Sequence, residues 1–135
     1  MIAYKTIQPL PFDPVVALFA SVDWSSAQKP DRLVRALDQS HTVITAWDGE
    51  ILVGLGSAIS DGCMVAYVPY MVVLPEYQGQ GIGTEITRRL IERYAGFHQL
   101  ALIADGRAVD FYKRMGFAPA GSCEALWIYA GNEHA

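Results

Sequence analysis

A chain of 135 residues, 52% of them apolar, is long enough for one domain with its own core, which excludes a disordered or low-complexity polymer. The formal net charge of −4, with no cluster of Lys or Arg, argues against nucleic acid as a partner and mildly favours cationic substrates. No apolar run approaches the roughly 20 residues of a membrane-spanning helix, and the N-terminus lacks the charged-then-apolar order of a secretory signal, so no membrane partner is expected and the expected location is the cytoplasm.

In chain order, residues 2–7 alternate like a first strand. Residues 12–22 read as a helix, with Asp13 as N-cap and Pro14 at the first helical position. Trp24, Ser25 and Ser26 make a polar bend, and residues 31–39 form a second helix with Leu33, Val34 and Leu37 as its apolar stripe. Residues 42–47 and 51–60 are strands joined by a hairpin turn at Asp48-Gly49. After a second turn at Asp61-Gly62, residues 63–73 are the third strand of the meander, with Pro69 marking a bulge or an edge.

Pro75 stops that strand, because it has no N–H to donate to a ladder. Gly79, Gly81 and Gly83 follow, and then a helical pattern that Gly96 is placed to cap. Residues 100–104 are continuously apolar, as in a strand buried on both faces. Residues 110–115 read as a short helix closed by Gly116-Phe117, residues 124–129 as a last strand, and 131–135 as a fraying tail. Cys63 and Cys123 lack metal-ligand spacing and read as buried, reduced thiols. His41, His98 and His134 form no ligand pair, so no metal is expected.

The stretch from Val72 to Thr84 carries the chemistry. A strand, a glycine-rich turn and a helix start make an anion site, because the first N–H groups of a helix have no internal partner and its dipole favours negative charge there. A nucleotide P-loop needs Gly-Lys-Ser/Thr, whereas Gly83 is followed by Thr84-Glu85; the dinucleotide pattern G-x-G-x-x-G needs its third glycine one residue later. What remains is Q-x-x-G-x-G, spelled by Gln78, Gly81 and Gly83 behind V-x-P-E-Y.

That motif resembles the acetyl-CoA pyrophosphate loop of the GNAT N-acetyltransferases. A second motif, from Ala104 through Phe111-Tyr112 to Gly116-Phe117, resembles the family's A-x-x-F-Y-x-x-x-G-F segment. Together they imply an α/β (α+β) fold, a single GNAT N-acetyltransferase domain over 1–135. Its mixed, mostly antiparallel sheet would be splayed at the central strands and flanked by about four helices. Trp24-Ser25, Ala46-Trp47-Asp48-Gly49, Leu52-Val53-Gly54-Leu55 and Ser60-Asp61-Gly62 also resemble a narrower group, bacterial relatives of the plastid serotonin (aralkylamine) N-acetyltransferases.

The resemblance implies acetyl-CoA as cosubstrate and a primary amine as acceptor. Main-chain groups of Met71, Val72 and Val73 would pair with the pantetheine arm, and Gln78, Gly79, Gln80, Gly81, Ile82, Gly83 and Thr84 would hold the pyrophosphate, with Phe111 and Tyr112 close by. Gln78 stands where Arg is commoner, which removes one charge-assisted contact. Asp105 stands where relatives often place Asn, and an acid there is expected to cap the next segment or point away.

The implied reaction is direct attack of an amine on the thioester. Holding a primary amine of pKa near 10.4 neutral at pH 7.4 costs about 4 kcal/mol, so a base or a water chain must take the proton. A main-chain N–H near Met71 or Val72 would stabilise the oxyanion, and Tyr112 would protonate the leaving thiolate; its other reading is a core aromatic beside Phe111 and Phe117. The base is open. Tyr70 stands where relatives of the narrower group tend to carry an acid, leaving Asp61, Glu76, His98 or ordered water.

Trp24, Trp47, Tyr67 and Tyr70 are candidates for an aromatic amine pocket. Three functions follow: transfer to a small-molecule or aralkyl amine; transfer to a protein N-terminus or lysine; or acyl-CoA binding without catalysis. A homodimer through Leu126, Trp127, Ile128 or Tyr129 is also expected.

Overall fold

The computed structural model describes residues 1–133. Five strands lie side by side in chain order: β1 (Ile2–Lys5), β2 (Thr42–Asp48), β3 (Ile51–Ser60), β4 (Val65–Val73) and β5 (Gln99–Leu102). The first four pair antiparallel, and β5 runs parallel to β4. A parallel neighbour needs a crossover, and helix α3 (Ile82–Arg93) supplies it. Helices α1 (Phe12–Ala20) and α2 (Pro30–Asp38) cover the other face, and α4 (Gly106–Arg114) follows β5. Four helices around a mixed sheet match the expected architecture.

The core has two layers. Leu18, Phe19, Leu33, Leu37 and Leu55 are buried where α1 and α2 meet the sheet; Ile44, Val53, Ile82, Ile86 and Leu90 are buried between the sheet and α3. Fully burying a side chain of that size contributes about 1.5–3 kcal/mol. With both faces covered, Thr42 through Trp47 are all buried, so β2 shows no simple alternation.

Glycines set how closely α3 lies on β3. A Cβ on Gly54 would stand 3.0 Å from Ile82 and 3.1 Å from Ile86, and one on Gly56 would overlap Ile86 outright. The helix that opens at the glycine loop therefore rests directly on strand backbone.

Pro69 does mark a bulge. Ser57 pairs with Tyr70 while Ile59 pairs with Tyr67, so β4 carries one extra residue between them. Before the bulge, Ala66 and Val68 face α3; after it, Met71 and Val73 do, and Tyr70 and Val72 turn to the α1/α2 layer.

Several expectations need correction. The residue at the N-cap of α1 is Pro11, not Asp13, and no side chain caps this end. Gly96 is left-handed but lies two residues beyond the C-cap of α3, Tyr94. β5 is half-buried rather than covered on both faces, because it is the last strand of the sheet and α4 buries none of its own residues. Residues 124–129 are not a strand: the Trp127 and Tyr129 rings stack at 4.2 Å, and the segment runs to Ser25 instead of along β5. Cys63 and Cys123 are both exposed, each lying in a loop rather than under a layer. Of the expected frayed tail, Glu133 contacts Ser25, while residues 134 and 135, including His134, lie outside the described residues.

Candidate active site

Two local features meet at the C-terminal half of β4. The first is a free strand edge. The last registered pair between β4 and β5 is Val68 with Leu102; β5 ends there, while β4 continues to Val73. From Pro69 onward β4 pairs with β3 alone, so the outward main-chain groups along Tyr70–Val72 have no neighbouring strand.

The second feature is the glycine turn. Gly79 and Gly81 have φ of +80° and +85°, and a Cβ on either would meet nothing within 4 Å. They serve backbone conformation and leave the main chain bare on the outside. Gly81 caps α3, and the first α-helical bond runs from the Glu85 N–H to the Gly81 carbonyl at 3.0 Å. The N–H groups of Ile82, Gly83 and Thr84 therefore precede the helical ladder. Gly83 serves packing instead: its Cβ would stand 3.0 Å from Met71 Cε and 3.7 Å from Phe111.

An anion here meets little competition from the first turn's own acid. Arg88 and Arg89 donate to Glu85, each at 2.7 Å, and these hydrogen bonds hold its carboxyl at about 2. Gln78 Nε2 donates to the Val73 carbonyl at 3.1 Å, tying the loop to the strand edge. A bare left-handed turn at a helix start, beside an unpaired strand edge, fits the pyrophosphate and pantetheine of acetyl-CoA.

A cleft of about 820 Å³ opens where β4 and β5 part. Tyr112, on α4, lines it, half-buried and edge-on to both Phe111 and Phe117 at 5.0 and 5.7 Å. Burial pushes its phenol up to about 12, so it stays protonated at neutral pH. Across the cleft, Tyr70 lies edge-on to Phe19 at 5.1 Å and beside Trp24, and its hydroxyl bonds to Ser26. Tyr67, Trp127 and Tyr129 complete the aromatic wall.

Trp47 is not part of that wall. It is buried elsewhere, with Nε1 donating to Thr45 Oγ1 at 2.8 Å and Lys5 over its ring. None of the three carboxylate or imidazole bases considered lines the cleft. Asp61 Oδ1 instead accepts the N–H groups of Cys63, Met64 and Val65 in the β3–β4 turn, and these bonds lower its pKa. Glu76 lies in a short 3-10 turn and His98 is exposed ahead of β5. Asp105 takes the N-cap position of α4, its carbonyl accepting from Ala108 and Val109.

Sequence reasoning missed Ser25, Gly131 and Glu133 as cleft residues, and the G-x-G of β3 as the seat of α3. Gly54 and Gly56 were visible as a small-residue pair in an apolar strand. Glu133 gave no signal, since its contact with Ser25 spans 108 positions.

Comparison with known proteins accords with this geometry. The model of the acetyltransferase (GNAT) domain matches residues 19–125. The chain is 32% identical over 116 residues to the uncharacterised N-acetyltransferase ycf52 of Gracilaria tenuistipitata var. liui, covering 79% of this chain and 63% of that protein. It is 36% identical over 107 residues to the chloroplastic serotonin N-acetyltransferase 2 of Oryza sativa subsp. japonica, covering 75% and 53%. The chain thus spans less than two thirds of either relative's length. A solved GNAT-family acetyltransferase from Streptococcus pneumoniae TIGR4 superposes with a TM-score of 0.80 at 30% identity, covering 96% of this chain and 99% of that one. The chain belongs to the GNAT acetyltransferase family, and with it to the acyltransferases.

No helix among the described residues is long and apolar enough to cross a membrane, and no group of three or more metal-ligating side chains occurs among them.

Proposed function

We propose that the chain moves an acetyl group directly from acetyl-CoA to the nitrogen of a small aromatic primary amine. The observation that carries this reading is the aromatic-walled cleft, which meets the parting of β4 and β5 with Tyr112 on its wall. Acetyl-CoA supplies an activated acyl group as a thioester. Gln78, Gly79, Gln80, Gly81, Ile82, Gly83 and Thr84 hold its pyrophosphate; main-chain groups of Met71, Val72 and Val73 hold its pantetheine; and Phe111 supports the loop from behind Gly83. A main-chain N–H on the open edge near Met71 or Val72 stabilises the developing oxyanion.

Tyr112 donates its phenol proton to the departing sulfur. Tyr70 is a phenol pushed up by burial rather than a base, and of the cleft's two carboxylates Asp105 sits at the start of α4 and Glu133 is held by hydrogen bonds from Ser25, Tyr129 and Asn132. Ordered water therefore takes the amine's proton. The likeness to a serotonin N-acetyltransferase supports an aralkylamine as the acceptor.

We extend the reading to one domain over 1–135, acting in the cytoplasm, where exposed thiols such as Cys63 and Cys123 stay reduced. We also extend it to a homodimer. Trp127 and Tyr129 line the cleft, so its apolar contacts fall to Leu126 and Ile128, which are 87% and 107% exposed. A monomer mass by light scattering at micromolar concentration would exclude the dimer. Acetyl-CoA turnover against a panel of amines tests the activity. Acetylation of aromatic amines is the expected result; acetylation confined to peptides, or CoA binding without turnover, would overturn it.

A further inference from the structure

The acceptor side of the cleft holds an acid that the reaction scheme leaves unused. Glu133 arrives from the C-terminal segment beside Trp24, Tyr70 and Tyr129. Its Oε1 accepts three hydrogen bonds, from the Ser25 N–H at 3.1 Å, the Ser25 hydroxyl at 3.0 Å and the Tyr129 hydroxyl at 2.9 Å. Its Oε2 accepts the Asn132 N–H at 3.2 Å. All four donors are neutral, and no ion pair reaches this carboxylate among the described residues. Gly131 fixes the approach, because a Cβ there would collide with Ser25 Oγ and the Tyr129 ring.

We propose that the Glu133 carboxylate is the docking point for the acceptor's ammonium group, a positioning residue that selects cationic aromatic amines. The inference rests on the acetyltransferase reading above and supplies the acid that Tyr70 does not. Oε2 has lone-pair capacity left, and a carboxylate held by neutral donors keeps its full charge for an N–H⁺ donor. Trp24, Tyr70 and the stacked pair Trp127 and Tyr129 line the same cleft, and such rings suit an aromatic body that carries a cation. Lys29, Arg32 and Asp105 also line the cleft, and Glu133 is the carboxylate in it that lies beside Trp24, Tyr70 and Tyr129. Desolvation pushes the carboxyl up, but the hydrogen bonds from Ser25 and Tyr129 outweigh it and bring the pKa down to about 2. Such a group is ionised throughout the neutral range and is a weak base, which fits docking rather than proton removal.

The test compares two probes of one shape, tryptamine and its neutral analogue indole-3-ethanol, binding to the CoA-loaded protein. The wild type should hold tryptamine about ten- to a hundredfold more tightly, as for a charge-assisted hydrogen bond, and Glu133→Gln should erase that preference while leaving indole-3-ethanol unchanged. Steady-state kinetics should show the loss in KM, with kcat within a few-fold. A preference for tryptamine that survives Glu133→Gln overturns the proposal, and so does equal weakening of both probes, which would mark Glu133 as a tail fastener. Wild type with no preference, or binding neither probe, also overturns it. In every case the CoA affinity of the wild type reports separately whether the acetyltransferase reading stands.

Discussion

The Gln78 side chain reaches back to the carbonyl of Val73, 3.1 Å from Nε2, so the start of the glycine loop is fastened to the open edge of β4. Anything that orders one orders the other. Gln78→Ala removes one neutral hydrogen bond, of about 0.5–1.5 kcal/mol, on an exposed surface. Calorimetry should show CoA binding weakened by roughly two- to tenfold, with the melting temperature little changed.

Gly81→Glu should abolish CoA binding. A side chain at φ +85° costs about 1 kcal/mol of strain, and the added carboxylate would face the pyrophosphate. Gly83→Glu should also abolish it, but with loss of fold stability, because Met71 stands 3.0 Å from the new Cβ. Unchanged CoA affinity in Gly81→Glu would remove the loop from the binding site.

Gly56→Ala places a methyl group in the space of Ile86, with Leu90 3.2 Å away. The helix must lift or tilt, at a cost of about 1–3 kcal/mol. Thermal denaturation should show the loss, and CoA affinity should fall with it, although Gly56 lies outside the glycine loop.

Tyr112→Phe keeps the ring against Phe111 and Phe117 and deletes the hydroxyl. Single-turnover acetyl transfer should slow by roughly 10²–10⁴-fold with CoA affinity unchanged. A near wild-type rate at every pH would remove Tyr112 from the mechanism.

The same residue shapes alkaline stability. Its phenol titrates at about 12 when folded and near 10 when unfolded, because burial disfavours the phenolate. Between those values the unfolded chain binds fewer protons, so stability present below pH 10 is lost as pH rises to 12. The contribution is up to roughly 2–3 kcal/mol. Denaturant midpoints should fall less steeply with pH in Tyr112→Phe than in the wild type across that window.

Motifs whose physics is local were legible in the sequence. The glycine loop declares itself because left-handed backbone and a helix start depend on neighbours, and the bulge at Pro69 because a missing N–H interrupts any ladder. Contacts between distant residues were not. The apolar, aromatic run from Leu126 to Tyr129 suits a strand, but it equally suits an extended segment whose two aromatic rings stack over a cleft. Trp47 looked like a pocket residue until its neighbour Thr45 was seen to take its N–H.

The extra residue in β4 has a wider effect. Tyr67 and Tyr70 are three positions apart and would point to opposite sides of a regular strand, yet both line the cleft. Were all of residues 67–73 paired one-to-one with β3, without the bulge, everything after Val68 would reverse parity. Tyr70 and Val72 would swing toward α3, and Met71 and Val73 toward α1 and α2, so the acceptor wall would lose a ring in the same stroke that pulled Met71 away from Gly83. The bulge is thus a shared constraint: acceptor preference can drift by substitution at Tyr67 or Tyr70, and loss of the one extra residue between them would keep every later side chain on its face, but closing the bulge at the present length would dismantle the cosubstrate loop.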